Sequence, residues 1–331
     1  MGHKVLVTGG AGYVGSCLVP KLLGKGYEVV AYDLCVYGED VLAGALYQPG
    51  FRLVKGDIRD VELLSTALVG VETVIHLACI SNDPSFDLDP DLGKSINYDS
   101  FVPLVLACKS SGVRRFVFAS SSSVYGVKSD PDVTEEATCE PLTDYSKYKA
   151  LCEDLLRSQE EGGFGTVILR PATICGYAPR MRLDLVVNIL TNHAINNRRI
   201  RVFGGRQKRP NIHIDDITDL YVDLVGRPEA EVVGKTWNVG SENHEVREIA
   251  ATVKQVLGDP DVAIVTEPSD DDRSYHVSSR RIREAIGFTP TRSVSDAVVD
   301  VKEAFAAGRI PNPMDDDRYY NIRTMQNIGL R

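Results

Sequence analysis

Between residue 4 and about residue 175 two patterns alternate along the chain. Short β-branched runs (KVLVT, YEVVAYD, FRLVKGD, TVIHLA, RFVFAS and TVILRP) are separated by longer stretches whose apolar residues recur at helical spacing. Near-continuous apolar runs of this length fit strands buried on both faces, and helix-length pieces between them fit βαβ crossovers. The pattern predicts an α/β fold with a doubly wound parallel sheet, and helices over about 13–25, 60–69, 92–111 and 144–160. Gly26, Gly70, Gly112 and the Gly162-Gly163 pair fall near the helix ends, where glycine commonly terminates a helix.

After Gly176 the rhythm changes to helical patterns near 183–197, 246–257, 279–286 and 294–306, with RIRVF and KTWNVG as short strands between them. The expected division is a first domain over 1–176 and a smaller C-terminal α/β lobe over 177–314, with segments returning to the first domain. A C-terminal tail over 315–331 completes it. That last stretch is polar with two adjacent tyrosines. A flexible tail is expected there, with a flap over a site or interface as the alternative.

The 331 residues are 43% apolar, enough to bury a real core. Seven cysteines form no C-x-x-C pair, so neither a disulfide framework nor a zinc ribbon is indicated, and a cytoplasmic protein fits best. Six scattered histidines offer no metal motif, and no metal is expected. A net charge of −9 without a long basic run argues against a nucleic-acid or anionic-membrane surface. No apolar run approaches the roughly 20 residues that a membrane span needs, and no export signal is recognised.

The segment VTGGAGYVGS leaves the first strand and opens the first helix, with Gly9, Gly12 and Gly15 spaced G-x-x-G-x-x-G around Tyr13 and Val14. Glycine suits a tight turn whose backbone approaches a pyrophosphate at the positive end of a helix. In this strand–turn–helix context the pattern marks a Rossmann dinucleotide site. Asp33 stands eighteen residues past Gly15, at the end of the second strand. Its carboxylate can accept bonds from the adenosine ribose and would repel a 2′-phosphate, which favours NAD over NADP. Asp57 in KGDIRD is placed to meet the adenine amino group with Ile58 packed on the ring; an ordinary helix N-cap is the competing reading.

Four serines, Ser120 to Ser123, follow the strand RFVFA, and twenty-four residues beyond Ser121 comes Tyr145-x-x-x-Lys149 at the start of a helix. Residues four apart share a helix face, so the phenol and the ammonium can point into one cleft. A free tyrosine titrates near pH 10, and lowering its pKa toward about 7 takes roughly 4 kcal/mol of differential stabilisation, which a nearby cation can supply.

Together the glycine turn, the serine-rich strand end and Y-x-x-x-K resemble the extended short-chain dehydrogenase/reductase family, whose members include UDP-glucose 4-epimerases. The resemblance spans about 4–310. It includes HLA at 76–78, INYDS around Asn97, VYG at 124–126, LRPATICG at 169–176 and RPNIHIDDI at 209–217. It implies that Ser121, Tyr145 and Lys149 are catalytic, that Leu77 and Ala78 border the cofactor, and that Ser121 and Ser122 touch the sugar. A shift of one position along the serine run stays open. The family's 4,6-dehydratases carry Asp and Glu where this chain has Ser122 and Ser123, and serines cannot do that acid–base work at neutral pH. Ser123 also stands where a 3,5-epimerase/reductase class has a cysteine.

The same resemblance implies that Arg209 binds a nucleotide diphosphate through charge-assisted bonds. It places Thr173 and Arg182 at the substrate, and Arg273 as a second phosphate ligand, against a surface ion pair with Asp270 to Asp272. His213 is expected to support its loop. The segment YAPRMRLDLVVN is similar to that of nucleotide-heptose 4-dehydrogenases, and Ser81 stands where the 4-epimerases commonly carry a lysine. The implied activity is NAD-dependent C4 epimerisation of a nucleoside-diphosphate sugar by a homodimer. Net C4 dehydrogenation is the rival, and a non-catalytic NAD-binding module is the second alternative.

Overall fold

The computed structural model describes residues 2–81, 83–128, 130, 132–269, 274 and 276–329. Its main sheet has seven parallel strands in the order β3-β2-β1-β4-β5-β6-β10. These are β1 Lys4–Thr8, β2 Glu28–Asp33, β3 Phe51–Lys55, β4 Thr73–His76, β5 Arg115–Ala119, β6 Gly165–Pro171 and β10 Lys235–Val239. Alternate side chains leave opposite faces of each strand. Val5 and Val7 of β1, with Val29 and Ala31 of β2, therefore enter one core, and Leu6, Val30 and Tyr32 enter the other. Both faces are covered, which is why the inner strands read as nearly unbroken apolar runs.

Two smaller sheets complete the chain. One joins β7 (Thr173–Cys175), β9 (Lys208–His213) and β11 (Glu242–Glu245) in the order β11-β9-β7, and the other pairs β8 (Arg199–Phe203) with β12 (Ala263–Glu267). Helices Val186–Asn197, Val246–Leu257 and Val294–Ala306 pack around a third core that includes Val187, Ile249 and Val298. On the main sheet, helix Gly15–Gly24 lies against helix Ile214–Gly226, tied by Lys21 Nζ to Asp215 (2.8 Å) and Asp219 (2.7 Å).

KTWNV is a segment of the C-terminal half that returns to the first domain, as the expected division allowed: as β10 it joins the main sheet and pairs in parallel with β6, Trp237 opposite Leu169 and only 1% exposed. It covers an edge that would otherwise present unpaired backbone. The helix expected over 92–111 is broken into Pro90–Lys94, a π turn at Ser95–Asp99 and Phe101–Ser110. The Ser100 N–H reaches back five residues to the Ser95 carbonyl, just before Pro103, which lacks an N–H and crowds the carbonyl four residues earlier. Among the described residues no helix is long and apolar enough to cross a membrane.

Candidate active site

The order of the main sheet reverses between β1 and β4, and the crevice beyond their carboxyl ends is where this kind of sheet receives ligands. A cleft of about 370 Å³ opens there. The ten residues from Gly9 to Ala78 expected at the cofactor line it, as do Tyr145 and Lys149, expected both as catalytic residues and at the cofactor, and so do Ser121, Ser122, Thr173 and Arg182. Arg209 lies on β9 and is not among the lining residues, although its near neighbour Asn211 pairs in register with the lining Thr173. Arg273 falls outside the described residues.

The glycine turn is fixed by space. Gly9 has φ +73°, and a Cβ there would come within 2.7 Å of the Ala78 N. A Cβ on Gly15 would lie 2.3 Å from the Gly9 carbonyl oxygen, so the first helix could not start where it does. Ala11 N–H (3.0 Å) and Cys35 N–H (2.7 Å) donate to the two oxygens of Asp33. Burial holds that carboxyl above its usual range against those two bonds. Tyr13 contributes its ring to the wall, because its hydroxyl donates to the Gly176 carbonyl (2.6 Å) and accepts from Asn188 (3.1 Å).

The next turn of the crevice hangs on Thr8. Its Oγ accepts from Leu77 N–H (3.2 Å) and Ala78 N–H (3.3 Å), so its own proton is directed at His76 Nδ1 (2.8 Å). The His76 proton then sits on Nε2, in a ring buried against Phe101, Phe116 and Phe118. Burial, with the Lys149 charge adding to it, pushes its pKa down to about 3. Asn97, in the π turn, holds Ile80 from both sides: its Oδ1 accepts from Ile80 N–H (2.8 Å) and its Nδ2 donates to the Ile80 carbonyl (2.9 Å). Asp57 is not the N-cap of the following helix, since Asp60 takes that position. Burial works to raise the Asp57 carboxyl, but the side-chain and backbone bonds from Arg59 outweigh it and leave it low.

The four serines have separate roles. Ser120 Oγ donates to Glu153, Ser122 is buried, and Ser121 caps the short 3-10 turn Ser122–Tyr125 by accepting from Ser123 N–H (3.1 Å). The Ser121 and Ser123 hydroxyls are 2.8 Å apart. Behind them Arg170 grips Glu153 through Nε (2.9 Å) and Nη2 (2.6 Å), and passes Nη1 to the Tyr125 hydroxyl (2.7 Å), which donates to Asn238 (2.7 Å). This buried network fixes the floor on which the serine turn sits.

Helix Asp144–Ser158 begins with a capping box. Thr143 Oγ1 accepts from Ser146 N–H (3.3 Å), and Ser146 Oγ accepts from Thr143 N–H (3.2 Å). Tyr145 is thereby placed in the first turn and Lys149 one turn on, with Nζ 5.9 Å from the Tyr145 ring centroid. Lys149 is 4% exposed and donates to the Ala119 carbonyl.

The far wall comes from Ser81, from the segment between β7 and helix Val186–Asn197, and from the C-terminal segment. Arg182 spends its charge on Asp184 through Nε (2.9 Å) and Nη2 (3.1 Å), and gives Nη1 to Ser81 Oγ (3.2 Å). Burial opposes ionisation of Asp184, yet Arg182 outweighs it and leaves the carboxyl low. Asn321, at the start of helix Asn321–Ile328, donates its backbone N–H to Asp184 (3.1 Å) and its Nδ2 to Ser81 Oγ (2.9 Å). The C-terminal segment is thus packed on the cleft, and Met325 lines it too. Outside the cleft the fold brings His213, Asp215 and Asp300 together, but His213 caps its helix by accepting from Asp215 N–H (3.1 Å), and its Nε2 lies 3.0 Å from Asp300. That is a loop support.

With this geometry in place, comparison with known proteins is decisive on family. A profile of the NAD dependent epimerase/dehydratase family matches residues 5–240. The chain belongs to that family. It is 30% identical to a UDP-glucose 4-epimerase of Mycolicibacterium smegmatis over 313 residues, covering 91% of this chain and 98% of that one. Among solved structures it resembles DesIV, a dTDP-glucose 4,6-dehydratase from Streptomyces venezuelae with NAD and TYD bound (TM-score 0.84, 25% identity, 94% and 99% of the two chains). It also resembles the UDP-glucuronic acid 4-epimerase of Bacillus cereus in complex with UDP-glucuronic acid and NAD (TM-score 0.82, 25% identity, 92% and 99%). This member of the family is an enzyme of the epimerase/dehydratase type, and NAD is its cofactor. The glycine turn and Asp33 in one crevice fit that dinucleotide.

Proposed function

We propose that the enzyme interconverts C4 epimers of a nucleoside-diphosphate sugar. The observation that supports this reading is the shared cleft: Ser121, Tyr145 and Lys149 line the same space as the glycine turn and Asp33. The two positions after Ser121 carry hydroxyls where dehydration needs a carboxyl pair.

Bound NAD supplies a hydride acceptor for C4 and the same hydride in return. Tyr145 takes the C4 hydroxyl proton as the carbonyl forms and gives it back when the hydroxyl is restored. Lys149 favours the phenolate through its charge, and Ser121 aligns the sugar oxygen. If the sugar turns over in the cleft between the two transfers, C4 is inverted without net redox change. Thr173 on the wall and Arg209 on the adjacent strand are the diphosphate ligands in this reading, with Arg182 steering Asp184 and Ser81. Exposed Leu106 and Leu151, on the helices Phe101–Ser110 and Asp144–Ser158, suit a homodimer contact, which gel filtration with light scattering tests.

Net C4 oxidation is the second reading, favoured by the YAPRMRLDLVVN segment and by Ser81. A substrate deuterated at C4 separates the mechanisms. Epimerisation through hydride return keeps the label at the inverted carbon, net oxidation leaves it on the reduced NAD, and loss of label to solvent rules out the hydride route in both readings.

A further inference from the structure

Arg180 stands in the segment between β7 and helix Val186–Asn197, 3% exposed, on the wall of the cofactor cleft. Its backbone N–H donates to Ser16 Oγ (3.2 Å), in the first turn of the helix that the glycine turn opens. The guanidinium stacks 3.6 Å from the Tyr37 ring centroid, and Nη2 donates to Asn321 Oδ1. Nε and Nη1 are buried and have no hydrogen-bond partner among the described residues. The adjacent carboxylate, Asp184, is held by both forks of Arg182.

A buried cation with two unsatisfied donors is costly unless an anion meets it. Burial draws the Arg180 pKa down to about 10, which still leaves it charged at neutral pH. We propose that Arg180 is the seat of the NAD diphosphate, held in place by Tyr37 and Asn321 so that its free donors face phosphate oxygens. The position selects this diphosphate over that of a sugar nucleotide. Arg180 touches the first helix at Ser16, where dinucleotide phosphates bind, and its charge is felt by Asp33, where the adenosine ribose belongs.

The seat is also a latch. Asn321 Oδ1 accepts from Arg180 and from the Tyr37 hydroxyl (3.1 Å), while its other groups hold Ser81 and Asp184. The C-terminal helix therefore fixes the guanidinium, and release of the cofactor is coupled to movement of that helix. Retention of NAD across turnovers follows from the same contacts.

The test reads binding, so it stands whether or not the epimerase reading holds. Cofactor-free protein is titrated with ADP-ribose, adenosine and UDP by calorimetry, and its melting temperature is recorded. Arg180→Met is expected to weaken ADP-ribose by about 10- to 100-fold, as for loss of charge-assisted hydrogen bonds. Adenosine and UDP should change by less than about twofold, and the cofactor-free melting temperature should not fall, because an uncompensated buried charge has been removed. Loss of UDP binding with ADP-ribose intact would overturn the assignment in favour of the sugar nucleotide, and unchanged ADP-ribose would overturn it outright. Should Arg180→Met not fold, Arg180→Lys decides: the charge is kept and the fork lost, so ADP-ribose alone weakens, and wild-type affinity contradicts the proposal. In the holoenzyme, Asn321→Ala is expected to lose NAD faster through gel filtration than the wild type.

Discussion

Lys149 Nζ donates a 2.7 Å hydrogen bond to the carbonyl oxygen of Ala119, thirty residues away in the chain. The bond ties the helix that carries Tyr145 to the strand end that carries the serine run. It also fixes the ammonium relative to the phenol before any substrate arrives, which is the form electrostatic assistance takes when it costs no reorganisation.

Two substitutions follow from that arrangement. Tyr145→Phe is expected to lower kcat by about 10²- to 10⁴-fold while leaving NAD stoichiometry unchanged. Lys149→Met removes the cation, so the rate–pH profile should move to higher pH as well as fall. A Lys149→Met enzyme with the wild-type profile would show that the charge does not act on the phenol.

His76 makes a prediction about acid stability. Its folded pKa is about 3 against an ordinary 6.5, so between those values the unfolded chain binds a proton that the folded chain does not. Stability is therefore lost as pH falls through this window, by about 3 kcal/mol between pH 6.5 and 4 at roughly 1.4 kcal/mol per pH unit. Thermal melts of wild type and His76→Asn across that range check it. The variant should show a flatter slope, and equal slopes would remove His76 from the account.

The Glu153–Arg170 pair should behave as a buried ion pair under the serine turn. Glu153→Gln is expected to destabilise the fold by about 3–5 kcal/mol in denaturant unfolding, because it strands the Arg170 charge. The double variant Glu153→Gln/Arg170→Met should recover part of that loss. A double variant no better than the sum of the two single ones would mean that the residues act separately.

Asp33→Asn tests cofactor choice. Loss of the charge should raise the Kd for NAD by about tenfold and narrow the preference over NADP. Fluorescence titration with both dinucleotides reads this directly, and an unchanged NAD/NADP ratio would contradict the role given to the carboxylate.

The inner strands of the first half were legible because each is buried on both faces and so appears as a nearly unbroken apolar run, whereas β3 at the edge is only partly buried and reads as the mixed FRLVK. β10 was harder to place: KTWNV reads as a strand, but which sheet it joins is decided by the open edge of β6. Tyr145 and Lys149 could be paired from their spacing alone, since a helix fixes the geometry of residues four apart. Arg180 and Arg182 could not be separated that way. They sit in an irregular segment of bends, where spacing does not fix direction, and Arg182, expected at the substrate, is instead paired with Asp184. Asn321 carried no signal, because a polar residue in a polar stretch shows its burial only after the C-terminal segment has packed.

The most direct measurement incubates the purified enzyme with catalytic NAD and a panel of UDP-, GDP-, dTDP- and CDP-sugars. Absorbance at the NADH band and proton NMR of the sugar are followed together. The account expects a C4 epimer to accumulate to equilibrium with no net NADH. Stoichiometric NADH with a 4-keto product would contradict it and assign the enzyme to net C4 oxidation.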